Sequence, residues 1–244
     1  MRRRLVASAV AALAALIRLA AEAPAEEPSV TVLATGHLDS VVELPVFFRL
    51  YRVYVPAGRH VVSRGASALL YDMRGSPEIE LEGTAPTALA EGDGAFVEAD
   101  RKLEIGAAEA VPADLLLFVL SARPNQKPPF DPPAVVRELF RTGDPLPGLQ
   151  SGAYDFVLTR VLIPAGTPAA VPHYRTGAAV THILSGTGSL IAEGKTEPMP
   201  AGNATAELSG WFHQWANPGD APVVMLRASL DPEGAPATVP ESAQ

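Results

Sequence analysis

The residues of this chain that could act together in chemistry lie in its carboxyl-terminal half, where His173, Arg175, His213 and Trp215 occur at short spacings. A neutral imidazole offers one donor and one acceptor nitrogen, whereas the guanidinium of Arg175 stays protonated and has no lone pair to give. His213 and Trp215 are two positions apart, so on a strand they face the same side. If all four side chains face one interior, they form a pocket with one fixed positive charge, which predicts a small anionic or polyhydroxylated ligand. The alternative is that Trp215 belongs to the apolar core and Arg175 points to solvent from a loop.

Two runs around these residues have the spacing of known motifs. The first run has the pattern H-x-R-x3-A-x6-G and comprises His173, Arg175, Ala179 and Gly186. The second run comprises Gly202, Leu208, Gly210, His213 and Asn217. Over roughly residues 155–230 they resemble the paired motifs of the cupin family, with Leu208 where the motif has proline. Asn217 is expected to bond backbone groups of its own turn, the ordinary role of such a residue.

The resemblance to cupins implies a jelly-roll β-barrel whose interior holds a divalent metal on three histidines and a glutamate. In this chain Arg175 and Ala179 occupy two of those four ligand positions, which leaves His173 and His213. Three protein ligands are the usual minimum for a catalytic zinc, and non-haem iron commonly uses two histidines and a carboxylate. The sequence therefore predicts no competent metal cofactor. His182, three positions after Ala179, falls on the opposite face of the same strand, which favours a packing role.

Two classes of function remain open from the sequence. The first is an exported, non-catalytic protein whose second barrel binds a small molecule through His173, Arg175, His213 and Trp215, or whose barrels serve association with itself or another protein. The alternative is a metal-dependent cupin enzyme, an oxygenase, isomerase or decarboxylase, with a divalent transition metal on His173 and His213. A third ligand would then come from His182, water or another chain, and Arg175 would orient an anionic substrate.

The elements that would carry these residues are short strands, and they occur twice. The 24 prolines and 20 glycines disfavour long helices. Residues 52–58 resemble residues 160–166, which lie 108 positions later. Carried through this repeat, the first copy keeps none of the polar ligand residues, and the positions concerned hold Val62, Arg64, Ala68 and Leu103. The predicted fold is all-β, with two tandem cupin-type jelly-roll β-barrels joined by a Pro-rich linker.

Shifts in composition predict the boundaries of these units. Proline clusters after residue 123 indicate a linker, in which residues 134–141 are compatible with one short helix. The tail is rich in proline, alanine, glutamate and serine, which predicts disorder. The predicted units are a signal peptide over 1–25, a degenerate cupin domain over 30–122, the linker over 123–150, a cupin domain over 151–230 and the disordered tail over 231–244.

The amino terminus has the layout of a secretory signal peptide. Arg2, Arg3 and Arg4 precede an apolar run that ends at Ile17, and small residues follow. The run is about 13 residues long, short of the ~20 that a membrane span needs. An uncleaved anchor or an amphipathic helix packed on the domain is the alternative. The predicted location is secreted or periplasmic.

Charge and cysteine content restrict the partners. Nineteen Lys and Arg against 27 Asp and Glu give a net charge of −8, which argues against nucleic acid or an anionic membrane surface as partner. The absence of cysteine excludes a disulfide scaffold, a thiolate metal site and thiol catalysis. The expected partner is a small molecule, and the resemblance to cupins adds a homodimer through strand edges as a candidate assembly.

Overall fold

A computed structural model of the chain describes residues 27–41, 45–123 and 127–241, and every regular element within them is a β-strand. The first ten strands are β1 (Ser29–Leu38), β2 (Phe47–Val55), β3 (His60–Arg64), β4 (Ala68–Arg74), β5 (Glu78–Leu81), β6 (Thr87–Ala88), β7 (Gly94–Val97), β8 (Lys102–Gly106), β9 (Ala113–Ser121) and β10 (Val135–Arg141). The others are β11 (Tyr154–Ile163), β12 (His173–Arg175), β13 (Ala178–Ser185), β14 (Thr187–Ala192), β15 (Lys195–Pro200), β16 (Ala204–Glu207), β17 (His213–Ala216), β18 (Val223–Pro232) and β19 (Thr238–Pro240). The described ranges hold no helical segment with the length and apolarity that crossing a bilayer requires. The predicted signal peptide lies outside the described residues.

The strands form four sheets that are arranged as two barrels. The first barrel consists of the sheets β10-β2-β9-β4-β7 and β3-β8-β5-β6, and an apolar core lies between them. The second barrel consists of the sheets β1-β11-β18-β13-β16 and β15-β14-β17-β12-β19, with its own apolar core. The predicted all-β fold with two tandem barrels is confirmed.

Each barrel includes a strand that lies outside its predicted boundaries. β1, at the start of the predicted first domain, pairs with β11 of the second barrel. β10 lies in the predicted linker and pairs with β2 of the first barrel. The predicted helix over residues 134–141 is therefore wrong. The local sequence includes the β-branched Val135 and Val136, and the edge of β2 supplies the backbone partners that an isolated segment lacks.

The predicted disorder of the tail from residue 231 is wrong for its described part. β18 continues to Pro232, and β19 pairs with β12. The Glu241 amide also donates to the Pro172 carbonyl at 2.7 Å. Composition suggested disorder, but the open edge of β12 gives the tail backbone hydrogen bonds that composition does not reveal.

The two barrels pack through the outer faces of their large sheets. On β11, Tyr154, Phe156 and Leu158 lie in this interface, and the rings of Phe156 and Phe48 are 6.2 Å apart between centroids. The next residues of opposite parity, such as Val161, face the interior of the second barrel. Strands buried on both faces read as long apolar runs, which explains the length of the β-branched segment in β11.

The repeat between the barrels holds at the level of strand pairing. His173 of β12 lies opposite His213 of β17, and in the first barrel Ser63 lies opposite Leu103. The sequence repeat matched Val62 to His173, whereas strand pairing matches Ser63 to His173. The sequence match was therefore wrong by one residue. Val62 is 50% exposed because its neighbour on the strand faces the core instead.

Gly177 allows the backbone to turn from β12 into β13. A Cβ atom at this position would lie 1.8 Å from the carbonyl oxygen of Leu230 on β18. Backbone atoms cannot move aside as a flexible side chain can. The close approach therefore fixes the end of β12, which carries Arg175, against β18.

We predict that Gly177→Ala destabilises the protein by about 1–3 kcal/mol or more, because the added methyl group must displace backbone. Urea unfolding followed by circular dichroism measures the change in midpoint. Gly143→Ala is the matched control, since a Cβ at Gly143 meets nothing within 4 Å. An unchanged midpoint in Gly177→Ala would contradict the close approach of these strands.

Candidate functional site

The interior of the second barrel is apolar at one end and polar at the other. Along β18, Leu226, Ala228 and Leu230 face the interface between the barrels. Because side chains alternate on a strand, Arg227 and Ser229 face the barrel interior. The strands that form the interface therefore also build the polar end of the interior, through the side chains on their other face.

Glu207, the last residue of β16, lies at the centre of this polar end and is fully buried. Its Oε1 accepts hydrogen bonds from Thr181 Oγ1 at 2.7 Å, from Trp215 Nε1 at 3.0 Å and from Arg227 Nη2 at 3.2 Å. Its Oε2 lies 3.1 Å from Arg175 Nε and 3.4 Å from His213 Nε2. One carboxylate thus contacts three cationic or ionisable groups.

A second carboxylate completes this arrangement. Arg175 Nη1 lies 3.8 Å from Asp231 Oδ1, and Ser229 donates to Asp231 Oδ2 at 2.6 Å. Arg227 Nε also donates to Thr181 Oγ1 at 3.1 Å. Two guanidinium groups and two carboxylates therefore neutralise each other inside the barrel. We call this set of residues the charge cluster: Arg175, Thr181, Glu207, His213, Trp215, Arg227, Ser229 and Asp231.

The cations of the charge cluster keep Glu207 ionised. Burial alone raises the pKa of a carboxyl group, but the charge of Arg227, the adjacent His213 ring and the charge of Arg175 outweigh it. The pKa of Glu207 therefore lies well below its usual range. Burial lowers the pKa of Arg175, yet a guanidinium keeps its proton under any condition in which proteins fold.

The two predicted imidazoles lie side by side at the rim of the charge cluster. The rings of His173 and His213 are 4.7 Å apart between centroids. The Nδ1 atoms contact the carbonyl oxygens of Val171 and Trp211, at 3.0 Å in each case, which fixes both ring orientations. His213 is fully buried, whereas His173 is partly exposed. Burial lowers the pKa of His173, with a smaller contribution from His213.

The donor set does not fit a metal ion. Glu207 supplies the carboxylate that the sequence analysis did not find, so His173, His213 and Glu207 could in principle bind a metal as two histidines and a carboxylate. However, Arg175 and Arg227 already contact this carboxylate, and their charges would repel a divalent cation beside it. Across the ranges that the structure describes, no group of three or more His, Cys, Asp or Glu side chains is arranged to hold a metal.

The structure brings the predicted site residues together in a different arrangement from the one expected. Arg175, His213 and Trp215 converge inside the barrel, as the spacing predicted, and His173 adjoins them. They face Glu207, so the expected single fixed positive charge is neutralised. Trp215 belongs to the apolar core and uses its indole nitrogen to bind Glu207.

Two further predictions from the motif are confirmed. His182 is buried on the face opposite the charge cluster, where its Nδ1 contacts the Asn203 carbonyl at 3.1 Å. The Asn217 amide donates to the carbonyls of Ile163, Pro164 and Ala221 at 2.9–3.0 Å, so it fixes its own turn. Neither residue takes part in the site.

Glu207 carried a signal that sequence reasoning missed. It lies inside the second motif, next to Leu208, in a short strand that otherwise holds only alanine and threonine. An acidic residue on the inward face of a barrel strand requires a cationic partner. Arg175 had already been placed in the same interior, so the pair could have been predicted from the alternation of side chains.

A cavity of about 670 Å³ opens beside the charge cluster, where the edge strands β15 and β16 face each other. We call it the lateral cavity. Its polar and aromatic lining includes Glu193, Lys195, Glu197, Thr205, Ser209 and Trp211. The indole of Trp211 is partly exposed and stacks on the His213 ring, with centroids 5.0 Å apart.

Known proteins resemble this chain in one domain of sequence and in overall fold. The family model of the cupin domain matches residues 159–228, and no curated protein matches the chain significantly. AerE from Microcystis aeruginosa has a TM-score of 0.53 and 11% identity, over 82% of this chain and 98% of that one. A Bacillus subtilis oxalate decarboxylase mutant has a TM-score of 0.57 and 14% identity, over 84% and 78%. The formate complex of Lactobacillus farciminis oxalate decarboxylase has a TM-score of 0.57 and 11% identity, over 84% and 88%.

At these identities the likeness to solved structures concerns the fold alone. It extends over both barrels, whereas the match to the family model falls within the second barrel and includes the strands that carry His173 and His213. The motif spacing, the jelly-roll sheets and the domain match agree. Residues 159–228 therefore match the cupin domain, and they lie in the second barrel of a two-barrel β-fold.

Proposed function

We propose that this protein is a metal-independent cupin that binds a small polyhydroxylated ligand in the lateral cavity of its second barrel. The observation that carries the proposal is the Trp211 indole, which is held flat against His213 and forms a wall of the cavity. A rigid aromatic face with convergent polar groups around it is typical of sites that bind small molecules.

The polar groups favour hydroxyl groups over charged ligands. Glu193 and Glu197 accept hydrogen bonds, Lys195 donates, and Thr205 and Ser209 do both. The two carboxylates exceed the one ammonium group, so the lining disfavours an anion. Arg175, the cation that suggested an anionic ligand, is buried and paired with Glu207 and Asp231.

Metal independence is supported by the chemistry of the charge cluster. In the cupin pattern the interior cation is a metal, and its ligands are acceptors. Here the positive charges belong to the side chains of Arg175 and Arg227, and Glu207 is the carboxylate that both contact. These side chains fill the same role in the electrostatics of the interior without an exchangeable ion.

We expect neutral mono- or disaccharides to alter the fluorescence of Trp211, because a sugar ring stacked on the indole displaces water from it. A panel of neutral saccharides, with oxalate and citrate as anionic comparators, tests this by fluorescence titration. Trp211→Leu should weaken binding of any active saccharide by about tenfold or more, as removal of an aromatic anchor commonly does.

Phe212→Leu is the matched control. Phe212 is exposed and packs edge-on against Tyr174 at 5.0 Å, outside the lining of the lateral cavity. Its replacement should leave saccharide binding unchanged. If no saccharide binds, or if the anions bind and the saccharides do not, the proposed ligand class is wrong.

We predict that the protein purified without a histidine tag contains far less than one transition-metal ion per chain. Neither excess EDTA nor excess Mn²⁺ should change its melting temperature, because binding at the folded site would otherwise raise it. Elemental analysis and thermal scans provide the measurements. A stoichiometric metal that is lost in His213→Ala would favour the metal-dependent enzyme instead.

We predict that Glu207→Gln destabilises the protein by about 3–5 kcal/mol near neutral pH, because the buried guanidinium of Arg175 and the partly buried one of Arg227 lose their shared counter-charge. The lowered pKa of Glu207 means that its stabilisation is complete above the unfolded value, about 4.3, and is lost as the pH falls through the folded value. Urea midpoints of both proteins between neutral and acidic pH should therefore converge toward acid.

Glu98→Gln provides the control for this measurement. Glu98 pairs with Arg101 at 3.1 Å on the surface, and both side chains are largely exposed, so its midpoint should match that of the parent protein. If Glu207→Gln were as stable as the parent at neutral pH, the charge cluster would not hold the barrel interior together.

A further inference from the structure

The first barrel contains a separate cavity of about 180 Å³ that the proposed function does not use. It lies inside the barrel, between the strands of the two sheets, and opens where residues 63–66 approach residues 127–129. Its inner wall is formed by Tyr51, Leu103 and Leu117, all of them buried members of the apolar core.

The inner wall favours an apolar ligand. Leu103 occupies the position equivalent to His213 of the second barrel, so this interior lacks the imidazole found there. Ala68 lies on the inward face of β4 and leaves space where a larger side chain would fill it. An apolar cavity of about 150 Å³ stays dry and binds benzene, so this one accommodates a ring or chain of about six to eight carbons.

The opening of the cavity is cationic. Arg64, Arg101 and Lys127 line it. Arg64 pairs with Glu82 at 2.9 Å and Arg101 pairs with Glu98 at 3.1 Å. Among the residues that the structure describes, no carboxylate forms an ion pair with Lys127.

The charge of this opening differs from that of the rest of the molecule. The chain as a whole carries a net charge of −8, and the lateral cavity of the second barrel has more carboxylates than cations. At the opening of the first barrel the three cations exceed their two carboxylate partners. An ammonium or guanidinium group at the rim of an apolar cavity is arranged to pair with an anionic head group while the cavity holds an apolar body.

We propose that the first barrel binds a small monocarboxylate with an apolar body of about six to eight carbons, such as an aromatic or short-chain acid. The carboxylate pairs with Lys127 at the opening, flanked by Arg64 and Arg101, and the apolar body packs against Tyr51 and Leu117. This site is separate from the lateral cavity, so a negative result at either site leaves the proposal for the other site unaffected.

Isothermal titration of the full chain with benzoate tests the proposal, with benzamide as a neutral probe of the same size. We expect benzoate to bind at one site per chain and benzamide to bind at least about tenfold more weakly, since it lacks the charge that the opening recognises. Raising the salt concentration should weaken benzoate binding, because the ion pair lies near the surface.

Two variants separate the charge from the cavity. Lys127→Gln removes the ammonium group and should weaken benzoate binding by about five- to tenfold, whereas Lys102→Gln, a control at a lysine paired with Glu104 outside the cavity, should not. Ala68→Leu fills the cavity and should abolish binding, with its folding checked by circular dichroism. Trp211→Leu, in the second barrel, should leave benzoate binding unchanged.

Three results would overturn the proposal. The first is no benzoate binding at millimolar concentration. The second is equal affinity in Lys127→Gln and the parent protein, a comparison that does not depend on the folding of a core variant. The third is retained binding in a folded Ala68→Leu protein, or loss of binding in Trp211→Leu, either of which would place the ligand outside the first barrel.

Discussion

The buried carboxylate of Glu207 is the contact on which the interior of the second barrel depends. A lone charge in such an interior is strongly unfavourable, and an ion pair is tolerated only when its geometry is good and its remaining hydrogen-bonding atoms find partners. Glu207 meets this condition at Oε1, which accepts hydrogen bonds from Thr181, Trp215 and Arg227. Among the described residues its Oε2 has no hydrogen-bond partner, and the charge of Arg175, 3.1 Å away, balances it instead. Because these partners come from β12, β18, β13 and β17, one side chain joins both sheets of the barrel.

The charge cluster also determines how much unpaired charge the interior of the second barrel presents. Arg175 and Arg227 are neutralised by Glu207 and Asp231, so they have no free charge to offer a ligand. Two partly exposed side chains lie at the rim: His173, which packs on His213, and Trp211, which lines the lateral cavity. The first barrel has the opposite arrangement: its interior is apolar, and its cations lie at the opening of its cavity. The two barrels thus share a fold and differ in where their charged side chains lie.

The two barrels also depend on each other for strands and for burial. β1 completes a sheet of the second barrel, while β10 completes a sheet of the first. The central strands of both large sheets are buried on both faces, with a barrel core on one side and the interface between barrels on the other. Neither barrel would keep its large sheet dry in the absence of the other, and the apolar faces therefore favour a single folded unit.

The sequence by itself determined the fold class, the repeat and the members of the second motif. Proline and glycine content, strand-length apolar runs and the spacing of His173 and His213 are local properties, and the structure confirmed the all-β fold with two barrels that they predicted. The facing of His182 and the turn at Asn217 followed from alternation and from turn chemistry in the same way.

Only the tertiary structure decided how these parts combine. Whether residues 134–141 form a helix or a strand depended on the open edge of β2, which lies far away in the chain. Whether Arg175 carries an unpaired charge depended on Glu207. This residue lies 32 positions later in the sequence and meets Arg175 only when both are enclosed in the same barrel. Backbone pairing and charge neutralisation act across space, so side-chain alternation can place Arg175 and Glu207 in one interior, but only the folded chain decides that the two groups pair.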